Sequence, residues 1–236
     1  MRLLSLDTAT EACSAALLCD GQVTERFEVT GRGHTAMMLP MVHGLMRDAG
    51  VAFSDLDGLV CGVGPGSFAG VRIATGFIKG LALALDKPVV AVSSLAMLAQ
   101  GSIEQGADKV LAAIDARMEE IYIGAYERDA AGLARSVSDA QVVAPEKLSL
   151  PNLSEGIWRG AGTGWGRYRA QICSRLGLEV VDVQPEALPR ASNALKLAAP
   201  AFEAGDTLRS DELAPVYLRN KVALTLIEQL ARKKTS

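Results

Sequence analysis

The chain has 236 residues, 49% of them hydrophobic, with 24 basic against 27 acidic side chains and a formal net charge of −3. That is enough apolar content for one large domain or two smaller lobes with cores of their own, and it excludes a disordered chain. The charge balance excludes any general attraction to nucleic acid or to an anionic membrane, so contact with either has to be local or made through a partner. Cys13, Cys19, Cys61 and Cys173 show no CxxC spacing and have apolar neighbours, so reduced core thiols are expected and no zinc site. The opening MRLLSLDTAT reaches Asp7 too early for a signal peptide, and Arg72 and Lys79 interrupt the apolar run 68–85, so a soluble cytoplasmic protein is expected.

In chain order, Leu3 to Leu6 reads as a short buried strand that stops at Asp7. Cys13 to Cys19 and Val23 to Val29 read as a hairpin turning at Cys19-Asp20-Gly21. Thr35 to Ala49 has helical periodicity closed by Gly50. Leu59 to Val63 is a further strand, Ser67 caps a helix from Phe68, and Val89 to Val92 is a strand after Lys87-Pro88. Residues 149–164, rich in Gly and Pro, read as irregular. Strands alternating with helices predict an α/β layered fold. LLSLDTATEACSAALL (3–18) and LAAIDARMEEIYIGAY (111–126) match Asp7 to Asp115, which either marks a duplication or reflects a common strand-then-Asp pattern.

The stretch GVGPGSFAGVRIATGFIKGLALAL (62–85) is a glycine-rich turn feeding a helix. A P-loop ends in Lys and then Ser or Thr, whereas Gly66 is followed by Ser67, Phe68 and Ala69, with Arg72 the first basic residue. GPGSFAG is not GxSxG either, and neither His34 nor His43 has a claim to be a base for Ser67, so a helix cap is the expected role. The two histidines are too far apart along the chain for a helical metal pair. Asp7-Thr8-Ala9-Thr10 offers a carboxylate and two hydroxyls, suited to half a nucleotide site or to a plain turn. The matching turn Asp115-Ala116-Arg117-Met118-Glu119-Glu120 has no hydroxyl and no glycine nest, and its extra carboxylates would repel a polyphosphate. GAGTGWGRYR (160–169) could stack a base or ribose, or be a turn with a packed tryptophan.

On the helix from Phe68, Gly76, Gly80 and Ala84 form a nearly bare ridge beside an apolar stripe of Val71, Thr75, Ile78, Ala82 and Leu85. The preceding helix places Met38, Leu39, Val42, Leu45, Met46 and Ala49 on one face, with Met37 and Met41 beside it. Each glycine costs a helix about 1 kcal/mol against Ala, which asks for a packing reason. Adaptable methionine surface is typical of partner interfaces, and core packing is the competing reading. The expected interface comprises Met37, Met41, Gly44, Val71, Thr75, Gly76, Ile78, Lys79, Gly80 and Ala84.

DTATEACSAAL, HTAMMLPMV, GVGPGSFAGVRIATGF, KGLALAL, VLAAIDARMEEIY, GTGW and APVYLRNKVA, in this order from Met1 to about Ala223, resemble the bacterial TsaB family, formerly YeaZ. The chain departs from its relatives at Ala69, where Thr is common. The resemblance implies a duplicated, actin-like (ASKHA, ribonuclease-H-like) two-lobe fold. Lobe 1–104 would carry the partner-binding helices, and 105–236 a degenerate second repeat whose last helix packs back on the first lobe. It further implies a non-catalytic subunit needed for N6-threonylcarbamoyladenosine at position 37 of tRNAs reading ANN codons. The implied partners are the catalytic paralogue TsaD and the ATPase TsaE, with self-association as a homodimer, tRNA met only through the complex, and no membrane. The metal-binding HxxxH of TsaD has no counterpart in Val92-Ser93-Ser94-Leu95-Ala96-Met97-Leu98. No catalytic residue, metal or tightly held cofactor is therefore expected, and any nucleotide at Asp7, Thr8 and Thr10 would bind weakly or at a subunit interface. The alternatives are an ATP-dependent kinase or ATPase, and a peptidase.

Overall fold

A computed structural model describes residues 1–31, 33–151 and 153–219. The basic run Arg232-Lys233-Lys234 and the end of the APVYLRNKVA motif lie outside the described residues. The first half runs β1 (Leu3–Asp7), β2 (Ala12–Cys19), β3 (Gln22–Val29), α1 (His34–Ala49), β4 (Gly58–Gly62), α2 (Phe68–Leu85), β5 (Val89–Val92) and α3 (Ser94–Glu104). The second runs β6 (Lys109–Arg117), β7 (Glu120–Arg128), β8 (Ala134–Ser136), β9 (Gln141–Val143), β10 (Trp158–Ala161), α4 (Gly164–Leu176), β11 (Val180–Gln184) and α5 (Ala191–Ala204).

Local chemistry accounts for the first half. Asp20 and Gly21 both take positive φ, the pair a tight hairpin turn between β2 and β3 needs. Gly50 ends α1 in the left-handed region, its N–H returning to the carbonyls of Met46 and Arg47. The Ser67 hydroxyl caps α2 by accepting from Gly70 N at 3.3 Å. β1 is buried along its whole length because both faces of its sheet are covered, which explains an apolar run without alternation.

The first sheet has the order β3-β2-β1-β4-β5, and the second β11-β10-β6-β7-β8 with β9 also on β7. In each, a central strand pairs antiparallel with the strand that follows it and parallel with the next one, β1 with β2 and β4, β6 with β7 and β10. The segments 3–18 and 111–126 thus occupy equivalent hairpins, and the duplication is real. The second half lacks a counterpart of α1 among its described residues.

The halves exchange a helix. α3 packs on β6, β7, β8 and β10 of the second sheet, α5 packs on β1, β2, β4 and β5 of the first, and the two helices touch each other. A boundary at residue 104 therefore divides the chain in sequence but not in packing, since α3 belongs to the neighbouring core. Leu4, Leu6, Val42, Leu45 and Ile78 fill the layer between the first sheet and α1 and α2, while Leu3, Val60, Met97, Ala194 and Leu195 fill the layer under α5. α2 is the one described helix long and apolar enough to cross a membrane, at 18 residues and mean hydropathy 1.5, and its Val71, Ala74, Thr75, Ile78 and Ala82 are buried against this protein core. The region 149–164 is not irregular throughout, because β10 crosses it with Trp158 fully buried. A four-residue strand is too short to show a period.

Candidate partner surface and interlobe cleft

The glycine-rich turn is built to receive the β1–β2 turn rather than a phosphate. Ser67 N donates to Ala9 O at 2.7 Å, and the Thr8 hydroxyl donates to Gly70 O at 2.7 Å. A Cβ on Gly66 would collide with the carbonyl of Ala9, and one on Gly70 with the carbonyl of Thr8. These two glycines permit close backbone approach, which is what the motif encodes.

Asp7 and Thr8 are buried beneath this contact, and of the three candidate nucleotide residues only Thr10 is among those lining the cleft between the lobes. Asp7 Oδ1 accepts from Ala9 N at 3.1 Å, while Oδ2 has no hydrogen-bond partner. Burial pushes the Asp7 carboxyl up to about 6, against the smaller opposing effects of the Ala9 amide and the nearby Ser94 hydroxyl. Burial likewise raises the thiols of Cys13 to about 11 and Cys61 to about 12, which makes them inert. At the second turn, Arg117 binds Asp115 at 3.3 Å and reaches across to Glu11 at 3.1 Å, tying one lobe to the other. Trp165 is packed, with Nε1 donating to Leu111 O at 2.9 Å, so the 160–169 segment, which runs from the end of β10 into the first turns of α4, buries its tryptophan instead of presenting it as a stacking platform. Among the described residues no three His, Cys, Asp or Glu side chains cluster to hold a metal.

The two N-terminal helices divide the expected interface. Val71, Thr75 and Ile78 face the chain's own sheet, and Met41 and Gly44 are buried on α1, the latter beneath the Arg26 guanidinium. These five are corrected to core positions. Lys79 is half-buried and donates to the carbonyls of Asp211 and Leu213 at 3.1 and 3.3 Å, which fastens to α2 the strap that follows α5, residues 205–219. Met37, Gly76, Gly80 and Ala84 retain surface, and no atom lies within 4 Å of where a Cβ on either glycine would sit. Around them are residues the sequence reasoning did not place in an interface: Leu39 at 47% exposure, Leu83 at 74%, and the partly exposed Ile73 and Phe77. Leu83 lies three residues after Gly80, on the same face of the helix, and that spacing was the available signal.

Two sheets of one topology, exchanging a helix and facing each other across a cleft, define a two-lobe α/β protein of the actin-like class. A family model described as TsaD, tRNA N6-adenosine threonylcarbamoyltransferase, matches residues 27–213. The tRNA threonylcarbamoyladenosine biosynthesis protein TsaB of Escherichia coli (strain K12) is 43% identical over 226 residues, covering 94% of this chain and 96% of that protein. Its namesake from Haemophilus influenzae is 38% identical over 230 residues, covering 94% and 95%. The solved structure of YeaZ from Pseudomonas aeruginosa is 46% identical, covers 92% of this chain and 99% of its own, and superposes with a TM-score of 0.85. The chain belongs to the TsaB (YeaZ) family.

Proposed function

We propose that this chain serves in the biosynthesis of threonylcarbamoyladenosine in tRNA as a non-catalytic, cytoplasmic subunit that scaffolds and activates the catalytic paralogue TsaD together with the ATPase TsaE. The relatives' names support the pathway. The observation that carries the subunit role is the face of α2, where Gly76 and Gly80 leave backbone open beside the exposed Leu83 and Ala84. Such a face lets another helix approach closely, and with Met37 and Leu39 of α1 it offers a surface for a homodimer or for the paralogue. A catalytic role is disfavoured by the burial of Asp7 and Thr8, and no cofactor of its own is assigned to the chain.

Mixing the chain with TsaD and TsaE and assaying tRNA modification, each protein alone as control, tests the proposal. Modification should require the mixture, and the chain alone should turn over neither ATP nor peptide substrates; turnover by the contaminant-free chain would overturn it. With a net charge of −3 the chain lacks a broad counterion-release contribution, so it should bind tRNA weakly by itself. Sub-micromolar binding at physiological salt would contradict contact only through the complex.

A further inference from the structure

The exposed side of α2 carries charges that its apolar face leaves unexplained. Between residues 66 and 88 the ionised side chains are Arg72, Lys79, Asp86 and Lys87. Arg72, Lys79 and the C-cap Asp86 recur every seven residues, about two helical turns, so they share one edge of the face that holds Gly76, Gly80 and Leu83. Lys79 is turned onto the strap, and Lys87 is half-buried. Arg72 and Asp86 are exposed, and neither makes an ion pair among the described residues.

Arg72 is held in place for a partner. Its guanidinium carbon sits 3.6 Å from the Phe68 ring centre and its Nε donates to the Tyr217 hydroxyl at 2.7 Å, which leaves both terminal nitrogens free to grip a carboxylate. That posture carries the charge back to the first turn of the helix, as long helical side chains lean toward the N-terminus. At the other end no basic residue sits in the last turn. One end of α2 therefore presents Arg72 with the positive helix start, and the other presents Asp86 with the negative helix end, opposed only by the half-buried Lys87.

A helix charged in this way complements its own reverse. Two copies packed antiparallel about a two-fold axis meet along the same edge of each, so a row on one faces the same row on the other. Closest approach falls where side chains are missing. A Cβ at Gly76 or Gly80 would meet no atom within 4 Å, which sets the axis between these two residues. Gly70 of one copy then lies level with Asp86 of the other, in the stretch that the Arg72 side chain covers. Lys79 comes near its own copy at the axis, but its ammonium is already committed to the carbonyls of Asp211 and Leu213. Parallel packing would instead set Arg72 against Arg72 and Asp86 against Asp86.

We propose that the α2 face docks a second copy of this chain antiparallel, in a register fixed by two symmetric ion pairs, Arg72 of each copy with the partner's Asp86. This rests on the partner-surface reading above and adds to it the orientation, the register and the residues that select self over another helix. Sedimentation equilibrium on the full chain tests it, comparing wild type with Arg72→Glu, Asp86→Lys and the double reversal, with Gly80→Leu as control for the face itself. Each single reversal should weaken self-association about tenfold or more, since it sets like charges together twice, and the double reversal should recover the wild-type constant to within about threefold. A merely structural role for Arg72 against Phe68 and Tyr217 gives no such rescue. Asp86→Asn keeps a residue that tolerates the left-handed cap, and it should weaken self-association about threefold and flatten its dependence on NaCl. Should Arg72→Glu fail to fold, the two Asp86 variants carry the test. The pairing is overturned if the wild-type chain does not self-associate, if a folded double reversal shows no recovery, or if the Asp86 variants self-associate as tightly as wild type. Loss of binding to TsaD alone would equally overturn it, by making the paralogue the occupant of this edge. Gly80→Leu separates the two levels of failure. If it leaves self-association intact, the α2 surface is not the contact and the reading above falls as well; if it separates the copies while the charge variants do not, only the pairing falls.

Discussion

Asp7 closes β1 inside the core, where its Oδ2 faces the Cα of Gly62 and finds no donor. A carboxyl raised from 3.8 to about 6 by burial destabilises the folded state when ionised, by roughly 3 kcal/mol at neutral pH. The folded chain holds this proton more tightly than the unfolded chain does. Stability from this group is therefore full below about 4, falls as pH rises from about 4 through about 6, and is gone above that. Asp7→Asn removes the titration while keeping an oxygen for the Ala9 amide. Its melting temperature should exceed that of the wild type at pH 7.5, and the gap should close as pH falls toward 4. A gap independent of pH would show that burial leaves the Asp7 carboxyl with the same proton affinity in the folded and unfolded chain. Gly70 makes a different demand, because the Thr8 carbonyl occupies the place of its missing Cβ. Gly70→Ala must push two backbones apart, and a loss of about 1–3 kcal/mol in urea denaturation is expected.

The elements of the first half were readable from the sequence because each carried its own punctuation: Asp20-Gly21 for the hairpin, Gly50 after α1, Ser67 before α2. What periodicity could not say is which side of α2 meets the sheet. It grouped Val71, Thr75 and Ile78 into one stripe and Gly76, Gly80 and Ala84 into another, but a helix with apolar or small residues all round gives no polar face to orient it. The structure turns the first stripe inward and leaves the second in the open. That makes the glycine ridge testable without the ambiguity of a core position. A Cβ at position 80 meets no atom within 4 Å, and Gly80→Leu gains helix propensity of up to about 1 kcal/mol, so the monomer should melt no earlier than the wild type. Sedimentation should nevertheless show weakened self-association and weakened binding to TsaD, because backbones can no longer meet there. Normal assembly by this variant would remove the ridge from the interface.

At the scale of the whole molecule, the repeat was visible in the paired Asp7 and Asp115 hairpins, but the exchange of α3 and α5 was not. No local signal records it, since each helix is amphipathic in the same way whichever sheet receives it. Within the cleft, the sequence supplied Thr10 but gave no hint of Tyr217 and Arg219, which arrive from a strap about 200 residues downstream. The exchange has a consequence for unfolding. Removing the second half would strip α5 from the first sheet and expose Leu3, Val60 and Val92, while α3 would lose the Val110 and Ile114 surface it covers. Neither half then has a closed core, and the Arg117–Glu11 ion pair across the cleft adds a further tie. Such exposed pairs contribute about 1 kcal/mol or less, so the helix exchange dominates. The intact chain should unfold in one transition, with calorimetric and van't Hoff enthalpies equal, although its size and two lobes would ordinarily allow two. A fragment of residues 1–104 should be insoluble or lack a cooperative melt when expressed alone. Two resolved transitions, or a stably folded 1–104 fragment, would mean that each sheet holds its core without the helix contributed by the other half.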